Sequence, residues 1–237
     1  MKKFELTAES KINWFGRTLY RIKACVDFTT TSGDEVKAGD LGGYVEKEQN
    51  LSHDGKAWVC GDAEVCGDAE VWGNAKVWGN AKVCGDAKVC GDAEVCGDAK
   101  VWGNAEVCGD AEVCGDASIF STKHIFCVTP IGQYANSLTV FRTKKCELKI
   151  SFEFETYEVE EFRKAIHDSW DEEYVDIAEG AISLAKKHID LTPDEKSFKD
   201  CPFCGGKAEL DEDSEVVICT ECGSTAKEEI WNNRCDD

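Results

Sequence analysis

From Val59 to Val113 an apolar residue returns at every sixth position, and an alanine follows each of these valines four residues later. The unit is Val-(Cys or Trp)-Gly-(Asp or Asn)-Ala-(Glu, Lys or Ser), and it runs ten times without a slip as far as Ser118. A fixed period this short predicts a solenoid. Within the unit, Ala and Val alternate with outward residues, the two-residue period of a strand rather than the 3.6-residue period of a helix. The Gly-Asp or Gly-Asn pair between them supplies residues that tolerate positive φ, so each hexad reads as one short strand and one turn. Three hexads make one triangular coil.

At 18 residues per coil, residues 18 apart stack at about 4.8 Å, the ordinary strand spacing. The outward second position then falls into three columns: Cys60, Trp78, Cys96, Cys114; Cys66, Cys84, Trp102, Phe120; and Trp72, Cys90, Cys108, Phe126. The sixth position sets Glu64 over Lys82, Glu70 over Lys88 over Glu106, and Lys76 over Glu94. Opposite charges at such cross-strand positions favour this register by roughly 0.2–1 kcal/mol each. Inside the repeat Trp always accompanies Asn and Cys always accompanies Asp.

The flanks read differently. Residues 1–58 carry β-rich patches at Phe4-Glu5-Leu6 and Thr18–Ile22, and are expected to form an N-terminal cap and an irregular first coil, because an open solenoid end is an exposed pairing edge. The β-helix is expected to span 59–132, with Ile119, Ile125 and Ile131 keeping the period while the Gly-Asp-Ala turn chemistry fades. In 133–192, Leu138–Arg142 and Glu147–Glu155 alternate as a β-hairpin. Phe162, Ile166 and Trp170, then Val175, Ala178, Ile182, Ala185 and Ile189, follow at helical spacing. The two amphipathic helices need a surface to cover, and the β-helix flanks or the Trp/Cys columns are the expected ones. Residues 193–237 form the last unit, behind a turn-rich linker.

That last unit holds the sharpest chemistry. Cys201-Pro202-Phe203-Cys204 and Cys219-Thr220-Glu221-Cys222 are two Cys-x-x-Cys turns separated by 14 residues. Four thiolates suit a tetrahedral, closed, structural Zn2+ site, with an iron–sulfur cluster or redox dithiols as the other readings. Val216-Val217-Ile218 between the turns reads as a strand, so the unit is a zinc ribbon, and a segment this small needs the metal to compensate for its core.

Composition narrows the class. The 237 residues include 47 acidic against 27 basic ones, a net charge of −20, with twelve acidic and four basic residues in the repeat block. Such a surface repels phosphate backbones, so direct nucleic-acid binding is not expected, and a basic protein partner fits better. Acidic charge also serves solubility alone. The one local excess of positive charge, Lys123, Arg142, Lys144, Lys145 and Lys149, is the candidate anion patch. No long apolar run or signal pattern appears, so a soluble, cytoplasmic protein without membrane attachment is expected. Of fifteen cysteines, seven sit at the repeated position and four have metal spacing, which fits a reducing compartment. The repeat cysteines are expected to pack as small apolar thiols, with metal or redox chemistry as the alternative.

The hexad array resembles the left-handed parallel β-helix of hexapeptide-repeat proteins, many of them acyltransferases. The left hand is what the resemblance implies, since crossover connections in general are right-handed. Gly39-Asp40-Leu41-Gly42-Gly43-Tyr44-Val45-Glu46 and Asn50-Leu51-Ser52-His53 resemble a bacteriophage and prophage branch of that family. Residues 201–234, through Ile230-Trp231-Asn232-Asn233-Arg234, resemble the Lar-type restriction-alleviation proteins of prophages. The fold expected is therefore mainly β: a left-handed β-helix, a hairpin with two helices, and a zinc ribbon.

The function these likenesses imply is that of a non-catalytic, phage-encoded binding protein that captures a host component to counter host defence. Trp72, Trp78 and Trp102 are its candidate contact residues. Apolar outward columns and the family resemblance imply a homo-oligomer, a trimer first and a dimer second. An acyl-CoA-dependent acyltransferase is the enzyme alternative, and a sponge for a small nucleotide signal is the third reading. Family acyltransferases use a histidine base, yet His53, His124, His167 and His188 all lie outside the ten regular repeats, and no catalytic residue is assigned.

Replacing Cys204 or Cys222 with Ser should remove one equivalent of zinc per chain and unfold the C-terminal ribbon while the strand signal of the repeats persists. Elemental analysis of the parent protein reads this directly, and an absence of bound zinc there would refute it.

Overall fold

The computed structural model describes residues 2–13, 16–132 and 135–192 with their side chains, and beyond them three strands at 208–211, 216–219 and 225–227. The chain divides into two compact units, 1–11 with 19–192, and 12–18 with 193–237. In the first, β1 (Phe4–Ile12), β2 (Thr18–Ala24), the short pair β3 (Phe28–Thr29) and β4 (Glu35–Val36), and β5 (Leu41–Val45) precede the repeats. Eleven two-residue rungs, β6 to β16, then recur from Trp58–Val59 to Ser118–Ile119. Rungs three apart pair in parallel, Lys82 against Glu64 and Lys100, Lys88 against Glu70 and Glu106, Glu94 against Lys76 and Glu112. The result is a mainly β, three-sided solenoid of about four turns.

Inside the array a hexad gives three amides to the next coil. Lys88 N donates to Ala105 O, Cys90 N to Val107 O and Asp92 N to Gly109 O, all at 2.9 Å, so even the turn is hydrogen-bonded between coils. That closeness explains the glycine. Gly91 has φ +72°, and a Cβ there would meet the Gly109 backbone at 2.8 Å. Of the Gly-Asp and Gly-Asn pairs, the glycine alone takes the left-handed conformation; the Asp and Asn that follow do not. Inside the triangle Val65 to Val113 and the alanines between them are all but inaccessible to solvent. Burying each valine is worth about 1.5–3 kcal/mol, and alanine fits where three faces converge.

The columns follow the 18-residue count with one exception. Asn74 Nδ2 donates to Asp92 Oδ1 at 2.8 Å and Asn80 Nδ2 to Asp98 Oδ1 at 3.1 Å, so an Asn interrupts what would be stacked carboxylates. Lys82 pairs with Glu64 at 3.7 Å and Lys88 with Glu106 at 3.5 Å. Lys76, stacked on Glu94, turns instead to Asp34 and to Ser32 Oγ at 3.0 Å. The exception is Phe126. Without a Gly-Asp turn after Ile119 the chain cannot close another coil, and Ser121 Oγ caps a short 3-10 turn at Thr122–His124. The chain then leaves as β17 (Ile125–Ile131), so Ile125 and Ile131 belong to a new sheet rather than to fading coils.

That sheet is a four-stranded antiparallel meander, β17 with β18 (Asn136–Arg142), β19 (Leu148–Phe152) and β20 (Glu155–Glu158), larger than the two-stranded hairpin expected. Both faces of β18 are buried. Phe141 enters the solenoid core, and Thr139 Oγ1 accepts the Glu112 amide at 3.0 Å. Leu138 and Val140 on the other face pack with Ile150, Phe152 and the helices. Helices α1 (Val159–Ser169) and α2 (Glu172–His188) lie where the spacing placed them, but they cover the meander and not the Trp/Cys columns. The reason is supply: β17 to β19 present an apolar face the sequence had not declared.

At the other end β2 pairs antiparallel with β5, which pairs in parallel with the Glu64–Val65 rung and so extends one face of the solenoid. Phe4 and Ile22 close the core. Buried Asn50 bonds Gly67 O at 3.0 Å and Ala69 O at 2.8 Å, standing in for a missing rung. In the second unit β21 (Ala208–Asp211), β22 (Val216–Cys219) and β23 (Thr225–Lys227) form a three-stranded antiparallel sheet.

Gly91→Ala should destabilise the protein more than Gly109→Ala. Both place a side chain in left-handed backbone, at about 1–2 kcal/mol, but a Cβ at Gly109 meets nothing within 4 Å. Denaturant unfolding of the two variants gives the comparison, and equal losses would show that the close approach of the coils does not constrain the turn.

Candidate functional site

The three tryptophans singled out by the repeat occupy three different faces, because Trp72, Trp78 and Trp102 follow the Glu70, Lys76 and Lys100 rungs of separate sheets. They make no common site. Trp72 lines a cleft of about 670 Å³ with Glu48, Ser52, His53 and Glu70. Trp78, 37% exposed, lines another of about 370 Å³ with Asp34, Leu41, Cys60 and Lys76, and its Nε1 donates to Glu94 at 3.2 Å. Trp102 packs edge-on against Phe120 at 5.8 Å.

The positive patch is also dispersed. Arg142 is 1% exposed, with Nη1 3.2 Å from His124 and Nη2 donating to Thr192 O at 3.2 Å. Lys149 pairs with Asp116 at 3.2 Å and Glu158 at 3.7 Å, and both carboxylates raise its pKa, the Asp116 hydrogen bond most. Lys123, Lys144 and Lys145 remain at the surface. The histidines serve local structure. His53 stacks on Phe4 at 4.3 Å; its Nδ1 accepts the Lys3 amide at 3.2 Å, which puts the proton on Nε2, 2.7 Å from Glu48. Buried His124 accepts the Phe120 amide at 3.1 Å, His188 Nε2 donates to Thr122 O at 3.1 Å, and exposed His167 lies 3.5 Å from Glu179.

Of the metal-spaced cysteines, Cys201, Cys204 and Cys222 lie outside the described residues, and Cys219 is placed as the last residue of β22, in register with Ala208. Among the described residues no three His, Cys, Asp or Glu side chains converge as metal ligands, and no helix is long and apolar enough to cross a membrane. The repeat cysteines bring a correction: Cys66–Cys84 and Cys96–Cys114 are disulfide-bonded, with Cα–Cα separations of 4.7 and 4.6 Å. Residues stacked one coil apart fall inside the range a disulfide spans; Cys60 and Cys90 are free, half-buried thiols, and Cys108 is a free thiol open to solvent.

The arrangement that sequence reasoning missed lies on the face of the Trp58, Lys76, Glu94 and Glu112 rungs. The turn between β3 and β4 reaches over it from one end and the meander from the other. Between them is a cleft of about 370 Å³ whose walls include Ser32, Asp92, Glu94, Asp110, Glu112 and Asn136. Glu112 stacks on Glu94, a pair that extending the charge column by one coil would have revealed. Its carboxylate accepts the Phe154 amide at 2.9 Å and Ser151 Oγ at 3.2 Å. Burial nevertheless raises its pKa, and these two bonds oppose the rise. No protein-family model matches the chain, and no curated protein matches it.

A carboxyl whose folded pKa exceeds its unfolded value binds more protons in the native state, so its contribution to stability falls as pH rises through that window. Glu112→Gln keeps an oxygen for both donors and removes the titration. Between pH 4 and 7 the parent should therefore lose more stability, or gain less, than the variant, by denaturant midpoints. Parallel pH profiles would show that Glu112 ionises in the fold without cost.

Proposed function

We infer that the chain is a non-catalytic binding protein whose acidic solenoid face receives a basic segment of a partner protein. The acidic cleft carries this reading: Asp92, Glu94, Asp110 and Glu112 lie on adjacent coils of one face, between two capping elements that give it walls. Four carboxylates, two on rungs and two at the corners between them, offer a cationic segment a charge pattern that needs no rearrangement. The roles the histidines already fill support a binding role over catalysis. The phage-type likeness of the first coil supports a host component as partner, and the counteracting of host defence as the purpose. In the same reading the solenoid winds left-handed, Cys201, Cys204, Cys219 and Cys222 close a zinc ribbon, and the chain assembles as a trimer.

Calorimetric titration with a Lys/Arg-rich peptide should give saturable binding that weakens with salt. Asp92→Asn with Asp110→Asn should weaken it about tenfold or more, about 1.4 kcal/mol. An affinity unchanged by the double substitution would sink the assignment of this face. Saturable acetyl-CoA binding in the range of about 1 μM to 1 mM typical of enzymes, lost in His53→Ala, would replace the reading with an acyltransferase.

A further inference from the structure

Three pairs of cysteines stand one coil apart in this solenoid, one pair on each face: Cys66 and Cys84, Cys96 and Cys114, Cys90 and Cys108. Their backbones are equivalent. Cys66 N donates to Val83 O, Cys96 N to Val113 O and Cys90 N to Val107 O, each at 2.9 Å, and the rungs before them pair residue for residue. Two of the pairs are disulfides and the third is not. The third pair differs in access: Cys84, Cys96 and Cys114 are 5% exposed and Cys66 1%, whereas Cys108 is open to solvent and Cys90 half-buried beside it.

We propose that Cys90 and Cys108 form a dithiol modification site, which exchanges with a low-molecular-weight disulfide to close a third inter-coil bridge. Exposed Cys108, as thiolate, attacks one sulfur of the small disulfide, forming a mixed disulfide and expelling one small thiolate. Cys90 then attacks the Cys108 sulfur, forming the Cys90–Cys108 bond and expelling the second. The protein loses two electrons and two protons, and the small disulfide takes them up as two thiols. Matching backbone geometry in the two bonded pairs means that the closure needs no movement of the coils. Partial burial and the neighbouring Cys90 thiol push the Cys108 pKa up to about 12, so the attacking thiol holds its proton at neutral pH and the exchange quickens as pH rises. Closed, the bridge would tie the Lys88–Val89 and Glu106–Val107 rungs, leaving every face of the solenoid covalently fastened.

The test uses the full chain exposed to oxidised glutathione at mildly alkaline pH, followed by alkylation, unfolding and cleavage at acidic residues. Asp92 and Glu94 separate Cys90 from Cys96, and Asp110 and Glu112 separate Cys108 from Cys114, so the linked peptides are distinguishable by mass. The expected product is a Cys90–Cys108 peptide, formed faster as pH is raised, with Cys108→Ser carrying at most a glutathione adduct on Cys90. Separate adducts on the two residues of the parent chain, untouched thiols, or a link from either to another cysteine would overturn the proposal.

Discussion

The solenoid depends on how closely one turn can approach the next. Because the amide after most of the repeat glycines bonds the glycine carbonyl one coil on, the corner is as tightly spaced as the strands, and a Cβ at most of these glycines would meet backbone at about 3 Å. From this follow the left-handed glycine, the unvarying six-residue period and the vertical registry of every outward side chain. A corner that relaxed by one residue would turn the inward valines outward.

Registry makes each outward choice a stacked one, and the sequence answers column by column. Lysine pairs with a stacked glutamate in two columns, an asparagine bonds the next aspartate at two corners, and cysteine over cysteine becomes a disulfide where the site is shielded from solvent. Where glutamate falls on glutamate, the repeat's own Trp78 donates to Glu94, and the meander supplies Ser151 and the Phe154 amide to Glu112. The acidic cleft is thus a place where the repeat's own charge compensation runs out and the caps take over.

The ends solve a different problem. An open coil presents unpaired amides and carbonyls, and the two termini close it with unlike devices. At the start a β-strand joins one face in register and Asn50 replaces a rung with its side-chain amide. At the finish a meander with two buried faces sends Phe141 into the solenoid and turns Leu138 and Val140 to the helices. These caps also border the face with the most concentrated carboxylates.

The period-six valines, the alanines and the glycines determined the solenoid, its three columns and its charge register, because a repeat states the same local instruction ten times and a neighbour 18 residues away is fixed by counting. Phe162, Ile166, Val175, Ala178 and Ile182 likewise determined two helices. What those helices cover was decided by tertiary structure alone, since Ile125, Phe126 and Ile131 fit the solenoid period as well as they fit a strand of the meander. The cleft was beyond reading for the same reason: Ser32 and Asn136 come to the Asp92 and Glu112 coils only after both caps fold back, and no spacing along the chain encodes that approach. Nor could counting tell bonded from free cysteines, because all three stacked pairs share one backbone geometry and differ in how solvent reaches them.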